Sequence, residues 1–281
     1  MDGFILVDKP KGITSFSLCN KIKKQLNLNK TGHNGTLDPS ATGLMIIGTN
    51  KALKLMKLIN EHDKEYIATI KFGKISDTLD YDSNVLDGRF SEFSIDDLNN
   101  AINKLKESKY QIPPMTSAIK INGKKLYEYQ RKGIEIELEK REIKINDIEL
   151  INYDFNTKEL IIRLAVSKGF YVRSFARDLG NLLNCDAIIK ELRRTKIDNI
   201  SIDKAKKLED ISINDIIPID SYFDFPRVEV NDYIKKLVKN GVCLDERQTT
   251  INGVFFVTNK CDIIAIYEEV EKNKYKPILI F

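Results

Sequence analysis

The most informative part of this 281-residue chain is the stretch Thr31-Gly32-His33-Asn34-Gly35-Thr36-Leu37-Asp38-Pro39-Ser40-Ala41-Thr42-Gly43-Leu44-Met45. Four of the 14 glycines fall between residues 32 and 48, and Asp38 is the only formally charged side chain from 31 through 49. Glycine allows tight turns and the close approach of a ligand, and Pro39 restricts Asp38 to an extended conformation. One carboxylate in a neutral loop is a candidate nucleophile or base, although a bare Asp-Pro pair is also typical of an Asx-type turn.

Other chemistry fits this stretch less well. Gly43 and Gly48 have the GxxxxG spacing of a phosphate loop, but Thr49 follows where that motif needs a lysine. The four cysteines are scattered without a CxxC pair, which argues against a zinc ribbon and a disulfide framework. His33 and His62 are the only histidines, too few for most transition-metal sites.

The basic residues are unevenly distributed along the chain. Residues 1–62 carry nine lysines against four acids, and residues 163–196 carry eight Lys or Arg against three acids. Residues 197–281 are slightly acidic, with twelve basic and fifteen acidic residues. The two basic stretches suit a polyanion that is also recognised by its shape, although a lysine-rich N-terminus also fits an ordinary solvated surface.

Hydrophobic periodicity on either side of the loop predicts an α+β fold with a large, mainly antiparallel central sheet and flanking helices. Four helices are predicted. The first follows a cap at Thr14 or Ser15 and has Phe16, Cys19, Ile22 and Leu26 on its apolar face, and the second spans 50–59. The third follows a Ser94–Asp97 capping box, and the fourth runs from about 173 to 184. The predicted strands are Phe4–Val7, Leu44–Ile47, Lys64–Phe72, 115–121, 133–139, 142–150 and 159–167. Short β-type runs at 253–258, 262–267 and 277–281 predict a small β-rich C-terminal unit.

The central stretch closely resembles the fingerprint of the TruB-type tRNA pseudouridine-55 synthase family. Further segments resemble that family's other motifs in order and at compatible spacings, over about residues 3 to 196: Lys9-Pro10-Lys11-Gly12-Ile13-Thr14-Ser15; Lys64-Glu65-Tyr66 with Gly73 and Asp77-Thr78-Leu79-Asp80; Gln111-Ile112-Pro113-Pro114 with Ser117-Ala118-Ile119-Lys120, Gly123, Tyr127 and Arg131; Gly169-Phe170-Tyr171-Val172-Arg173-Ser174 with Arg177-Asp178-Leu179-Gly180; and Leu192-Arg193-Arg194-Thr195.

The resemblance implies isomerisation of uridine 55 in the T-loop of tRNA to pseudouridine, after the base has been flipped out of its stack. No group is oxidised or carried away, so we expect no cofactor and no metal. By its match Asp38 is the catalytic aspartate, with Arg173 as a cation that favours its ionised form. Whether Asp38 attacks the ribose carbon, adds to the base or acts first as a base stays open at this point.

The remaining site residues are also assigned by their match. Tyr66 would be the active-site tyrosine beneath the flipped base, although without the motif it would be taken for a core tyrosine. Leu192 would pack on the other side of the base, although it also fits a leucine in a helix core. His33 would occupy the space that the base vacates. The other expected substrate-binding residues are Lys9, Gly35, Thr36, Lys120 and Arg131.

The resemblance also implies a domain organisation. We expect a catalytic domain over residues 1–220, with an RNA-clamping insertion at 113–142 that otherwise fits a solvated hairpin. Residues 221–281 would form a PUA-like unit, although their match to that motif is poor. The expected partner is the T-arm stem-loop of tRNA.

We further expect a cytoplasmic monomer that needs no protein partner and has no membrane segment. Two alternatives stay open. One is the catalytic subunit of a guide-RNA-dependent ribonucleoprotein, which the short acidic C-terminus disfavours. The other is an RNA-binding or RNA-folding protein without catalysis, a role that is also compatible with an active enzyme.

Overall fold

The computed structural model describes residues 1–33, 35–60, 63–117, 120–121, 124–126, 129, 134, 136 and 138–281. The α-helices with defined bounds are α1 (Ser15–Gln25), α2 (Met56–Asn60), α3 (Ile95–Lys106), α4 (Val172–Leu182), α5 (Ile219–Tyr222) and α6 (Asp232–Lys239). Short 3₁₀ turns are found at Asn50–Leu55, Ile202–Lys204, Leu208–Asp210 and Ile213–Asp215. None of the helices in the described ranges is both long and apolar enough to cross a membrane.

The strands are numbered β1 to β21 in chain order, the first group before residue 143 and the second group after it. The first group is β1 (Gly3–Lys9), β2 (Thr31–His33), β3 (Thr42–Thr49), β4 (Lys64–Phe72), β5 (Lys74–Ile75), β6 (Leu86–Asp87), β7 (Tyr110–Gln111), β8 (Lys120–Ile121), β9 (Lys124–Lys125) and β10 (Arg141–Glu142). The second group is β11 (Ile145–Asp154), β12 (Glu159–Val166), β13 (Ala187–Ile197), β14 (Ile200–Ser201), β15 (Lys206–Lys207), β16 (Ile217–Pro218), β17 (Arg227–Glu229), β18 (Leu244–Asp245), β19 (Val254–Asn259), β20 (Asp262–Glu271) and β21 (Lys274–Ile280).

One large sheet organises the first 220 residues. Its strand order is β11-β12-β4-β13-β3-β1-β15, with β2, β14 and β16 paired to β3, β13 and β1. The β1–β15 and β3–β13 pairs are parallel and the other pairs of this sheet are antiparallel. This confirms the predicted α+β class with a mainly antiparallel sheet.

Strands β1 and β3 are apolar on both faces because each face packs against a different layer. Ile5, Val7, Met45 and Ile47 join the core beneath α1, α3 and α4. Their neighbours Phe4, Leu6, Leu44 and Ile46 point the other way, since successive side chains alternate across a strand. Those four pack in a second core that includes Phe256, Ile266 and Leu279 from the C-terminal sheet.

The C-terminal residues form a separate five-stranded sheet, in the order β17-β19-β20-β21-β18. The predicted runs at 253–258, 262–267 and 277–281 correspond to β19, β20 and the end of β21, so the β-rich unit is confirmed. Amphipathic helix α6 covers part of it, with Val238 fully buried and Tyr233 exposed.

Several element predictions were wrong in ways that the packing explains. Phe16 was assigned to the apolar face of α1, but it is 72% exposed; the buried positions are Leu18, Cys19 and Ile22. Residues 50–59 form a 3₁₀ turn that leads into α2 rather than one helix. Strand β13, which supplies the middle of the sheet, was not predicted, because its Lys and Arg residues interrupt the apolar alternation.

The predicted hairpin strands of the insertion are mostly absent from its described part. Of the residues described within 115–121, namely 115–117, 120 and 121, only Lys120 and Ile121 are in a strand, β8, which pairs with β9. The described residues within 133–139, namely 134, 136, 138 and 139, are not in strands. Residues 142–150 match β10 and β11 only in part, since β11 begins at Ile145 and continues to Asp154.

Candidate active site

Asp38 lies in the loop that joins β2 to β3, and backbone hydrogen bonds hold this loop in place. The Asp38 carbonyl accepts a hydrogen bond from the Ala41 amide at 3.1 Å, which closes a turn around Pro39. The Pro39 carbonyl accepts from the Gly12 amide at 2.8 Å, so the loop is joined to the turn after β1. The Asp38 carboxylate is 36% exposed and can therefore be reached from solvent.

Lys9 supports this loop from within the protein. Its side chain is fully buried, and Nζ donates to the carbonyls of Pro10, Pro39 and Ala41 at 3.0, 3.3 and 2.6 Å. Burial lowers the pKa of the Lys9 amine to about 8, partly opposed by the negative charge of Asp38. The resemblance predicts a substrate contact for Lys9, whereas its contacts in the structure are with the backbone of Pro10 and of the Asp38 loop.

Arg173 forms an ion pair with Asp38. It lies in the first turn of α4, and its Nε is 3.2 Å from Asp38 Oδ2. Its Nη1 donates to the Thr78 carbonyl at 3.0 Å and to Thr116 Oγ1 at 2.6 Å. The guanidinium is mostly buried, and these partners fix its plane, which orients the carboxylate.

Tyr66 and Leu192 lie on the sheet face that the loop crosses. Tyr66 on β4 is paired with Arg194 on β13, and Ala68 is paired with Leu192. The side chains of Tyr66 and Leu192 therefore lie on the same face of the sheet. Tyr66 is 8% exposed and Leu192 packs at the edge of the main core. Leu192 is therefore a strand residue and not a helix residue.

Arg194 is the largest fully buried side chain of the described residues, and it braces both ends of the loop. Its Nε donates to the Leu44 carbonyl at 2.7 Å and its Nη2 to the Gly35 carbonyl at 3.2 Å. Gly35 adopts a φ of +67°, the left-handed region that glycine favours. Thr36, the next residue, is exposed at the surface.

His33 is the last residue of β2, paired with Ile47 of β3. Its Nδ1 is buried and has no hydrogen-bond partner within the described part of the chain. Burial, together with the positive charge of Arg194, lowers the pKa of the imidazole. His33 is therefore neutral at pH 7, which suits contact with a nucleobase better than contact with a phosphate.

A second carboxylate, Asp80, stands near Asp38. Asp80 accepts hydrogen bonds from the Ser40 hydroxyl at 2.9 Å and from the Asp82 amide at 2.7 Å. Burial raises its pKa, and the negative charges of Asp82 and Asp38 act in the same direction. Ser40 thereby connects the loop to the segment that supplies the Thr78 carbonyl to Arg173.

A cavity of about 700 Å³ opens beside this constellation. It is lined by Asp77 and Leu79, which flank Thr78, and by Met115, which precedes Thr116. Arg177 and Lys140 contribute positive charge to its wall, and Asp77 and Glu139 contribute negative charge. Asp38 and Arg173 are not among its lining residues, so the cavity lies next to the ion pair without containing it, and it is large enough for a nucleotide-sized group.

The chain is similar in sequence to one family of known proteins. The family model described as TruB family pseudouridylate synthase (N terminal domain) matches residues 23–172. The chain belongs to the TruB family of pseudouridylate synthases. The match includes Asp38 and Tyr66 and ends at Val172, the residue before Arg173.

Curated relatives extend the similarity to the full length of this TruB-family chain. The chain is 41% identical over 282 residues to tRNA pseudouridine synthase B of Acholeplasma laidlawii, covering 100% of both chains. It is 39% identical to the protein of the same name from Onion yellows phytoplasma, again over 100% of both. With the protein of that name from Clostridium tetani it shares 39% identity over 96% of this chain and 93% of the relative.

Solved structures share the fold at lower identity. A Cbf5-Nop10-Gar1 complex superposes with a TM-score of 0.70 and 22% identity, covering 96% of this chain and 79% of that chain. An H/ACA RNP bound to a substrate RNA containing 2'-deoxyuridine gives a TM-score of 0.68 and 21% identity, covering 99% and 84%. At these identities the likeness concerns the fold alone.

The structure thus brings together most of the residues predicted for the site. Asp38, Arg173, His33 and Gly35 belong to one constellation, with Tyr66 and Leu192 on the sheet beneath the loop. Lys120 begins β8 in the insertion, and Arg131 lies outside the described residues.

The residues that hold the constellation in place were not predicted. They are Thr116, Ser40, Ser15 and Arg194, which act through contacts between distant segments, Ser15 by hydrogen bonds with the Leu37 backbone. Only their positions within or beside the quoted motifs could have indicated them.

Proposed function

We propose that this TruB-family chain is a tRNA pseudouridine synthase that converts uridine 55 in the T-loop of tRNA to pseudouridine. The observation that supports this most directly is the ion pair of Asp38 with Arg173, beside a nucleotide-sized cavity. Relatives that match the whole chain carry the name tRNA pseudouridine synthase B.

The reaction needs no atoms beyond those of the nucleoside and a proton. The bond between ribose C1′ and uracil N1 breaks, the base turns, and a bond forms between C1′ and uracil C5. The proton on C5 leaves and N1 gains one, so the net change is an isomerisation. A partly exposed carboxylate held by a guanidinium can act on either C1′ or the base, provided that the uridine has left its stack.

The residues divide this work between them. Asp38 is the catalytic carboxylate, and Arg173 orients it through the ion pair. Tyr66 and Leu192 receive the flipped base from the sheet side, where base–aromatic stacking is worth about 1–3 kcal/mol. His33, neutral and at the strand end, fills the space that the base leaves in the loop. Lys9 and Arg194 hold the backbone of the Asp38 loop through their hydrogen bonds to its carbonyls.

The same proposal includes the organisation of the whole chain. Residues 1–220 form the catalytic domain, with the insertion 113–142, including Lys120 and Arg131, clamping the RNA together with Thr36. Residues 221–281 form the PUA-like unit. The enzyme is a cytoplasmic monomer that works on the T-arm without a protein partner or a cofactor.

A purified chain with a T-arm stem-loop transcript tests the proposal. We expect pseudouridine at the target position, tritium release from C5-labelled uridine, and no product from the Asp38→Asn variant. The affinity of that variant for tRNA should stay within severalfold of the wild type. Wild-type activity in the Asp38→Asn variant would contradict the assignment.

The same assay separates the alternatives. A guide-RNA-dependent subunit would leave the bare stem-loop unmodified until partner proteins and guide RNA are added. An RNA-binding protein without catalysis would bind tRNA in a salt-dependent way and release no tritium.

A further inference from the structure

Phe16 is an apolar side chain that the fold leaves in solvent. It is 72% exposed, and among the large hydrophobic residues of the described ranges only Met1, at 74%, is more exposed. The core face of α1 is complete without it, because Leu18, Cys19 and Ile22 are buried on the opposite side. The ring therefore makes no evident contribution to folding, and its position is better suited to contact with a partner.

The first turn of α1 is joined firmly to the catalytic loop. Ser15 Oγ donates to the Leu37 carbonyl and accepts from the Leu37 amide, both at 3.0 Å. The Gly12 amide donates to the Pro39 carbonyl at 2.8 Å. Phe16 follows Ser15, and Asp38 follows Leu37. Their Cα atoms are therefore at most about 15 Å apart along these links, from standard bond lengths.

The surroundings of Phe16 are basic. From Lys9 through Leu37 the sequence has six lysines and no acid. Lys11, Lys23 and Lys24 are exposed on the same turn and helix. Such a surface attracts phosphates and disfavours acidic partners. An exposed aromatic ring among lysines, beside a loop that receives a flipped nucleoside, matches the stacking platforms of proteins that bind unpaired RNA.

We propose that Phe16 stacks on an unpaired RNA base next to the target uridine and so positions the substrate. The stacked base is one or two nucleotides away from the target uridine along the RNA strand. Lys11 contacts the RNA backbone beside it. This inference rests on the proposed function and adds a substrate-positioning residue to it. It assigns Phe16 no part in the chemical steps at Asp38.

Three substitutions at residue 16 test the stacking role on a T-arm stem-loop. Phe16→Ala should lower kcat/KM by about 5- to 150-fold, the range of one base–aromatic stack, mainly through KM. Phe16→Trp should retain the wild-type value, and Phe16→Leu should lose most of what Phe16→Ala loses, because leucine is apolar but has no ring. Phe155→Ala, which removes a 59% exposed aromatic elsewhere, is the matched control and should leave kcat/KM unchanged.

Abasic substrates identify the partner base. With a single abasic site placed in turn at each loop position around the target, one position should lower kcat/KM for the wild type. At that position Phe16→Ala should cause no further loss. If the loss in kcat/KM from the abasic site and the loss from Phe16→Ala add at every position, the proposal is wrong. A Phe16→Leu variant that behaves like the wild type would also overturn it.

Circular dichroism, thermal unfolding and the oligomeric state in solution separate stacking from effects on folding or self-association. Circular dichroism and thermal unfolding should be unchanged in all the Phe16 variants, because the side chain is exposed. If the wild type is a dimer that Phe16→Ala separates, the ring is a self-association contact and the proposal is wrong. A wild type that forms no pseudouridine refutes the proposed function, whereas an active wild type insensitive to residue 16 refutes this inference alone.

Discussion

Arg173 contacts three partners from three separate parts of the chain. Thr78 and Thr116 hold Nη1, while Nε faces the Asp38 carboxylate. A guanidinium can satisfy these directions together because its donors lie in one rigid plane, which a lysine ammonium lacks. The orientation of Asp38 therefore depends on the shape of the cation as well as on its charge.

Replacing Arg173 by lysine should lower kcat for pseudouridine formation by about 10- to 150-fold, the equivalent of one charged hydrogen bond. The affinity for tRNA should change little, since the charge is kept. Single-turnover assays and filter binding measure the two quantities. Equal losses in affinity and rate would show that Arg173 acts mainly on RNA binding.

Lys9 connects the stability of the catalytic loop to pH. Its pKa is about 8 in the folded protein against 10.5 for the ordinary side chain. Between those values the unfolded chain binds a proton that the folded chain has lost, so the free energy of unfolding rises with pH. The charged amine is tolerated below pH 8 because three carbonyls accept its hydrogen bonds.

The free energy of unfolding of the wild type, relative to Lys9→Met, should therefore increase by about 1–3 kcal/mol from pH 8 to pH 10.5. Urea denaturation at several pH values measures this difference. At pH 7 the variant should itself be less stable by about 1–3 kcal/mol, because buried carbonyls lose their donor. A pH-independent difference would contradict the lowered pKa.

At the scale of elements, the site depends on how closely β3 approaches β13. Gly43 of β3 has a φ of +113°, and a Cβ there would lie 2.3 Å from the Arg194 carbonyl oxygen. The parallel pair of β3 with β13 places Gly43 beside Arg194. This close approach aligns Arg194 with the Leu44 and Gly35 carbonyls that it braces.

Gly43→Ala should destabilise the protein by more than about 3 kcal/mol and lower activity, because the two strands must separate. Gly169→Ala is the matched control. Its φ of +80° imposes a similar backbone cost, but nothing lies within 4 Å of its Cβ. That variant should lose only about 1–2 kcal/mol. Similar losses in the two variants, measured by thermal unfolding, would show that the contact with β13 is not the cause.

At the scale of the whole molecule, an aromatic series joins the two sheets. Phe4 of β1 contacts Tyr222 and Phe223, with ring centroids 4.3 and 5.5 Å away. Phe223 stacks on Phe225 at 4.6 Å, and Phe225 contacts Phe256 of β19 at 5.3 Å. Through these rings the C-terminal unit covers the back of the strands that carry the Asp38 loop.

Phe256→Ala should therefore destabilise the whole protein by about 3–5 kcal/mol and lower its Tm by roughly 6–20 °C. Tyr233→Ala, in the same unit but 69% exposed, should stay within about 0.5 kcal/mol of the wild type. Calorimetry should show one transition in each case. Two separate transitions would mean that the C-terminal unit folds independently of the central sheet.

Local sequence patterns were enough to predict several of the regular elements and to propose the residues of the site. Alternation over Lys64–Phe72, the Ser94–Asp97 capping box and the apolar runs of β1 and β3 report local preferences, which neighbouring residues already contain. The ordered motifs indicated Asp38, Tyr66 and Arg173.

Features that depend on contacts between distant segments are visible only in the folded protein. There the Phe16 ring is exposed to solvent, the charged strand β13 lies in the middle of the sheet, and Lys9 and Arg194 are buried against backbone carbonyls. A buried cation is stable only where acceptors from elsewhere in the chain surround it. Periodicity cannot reveal such acceptors, because hydrophobic spacing describes one segment at a time.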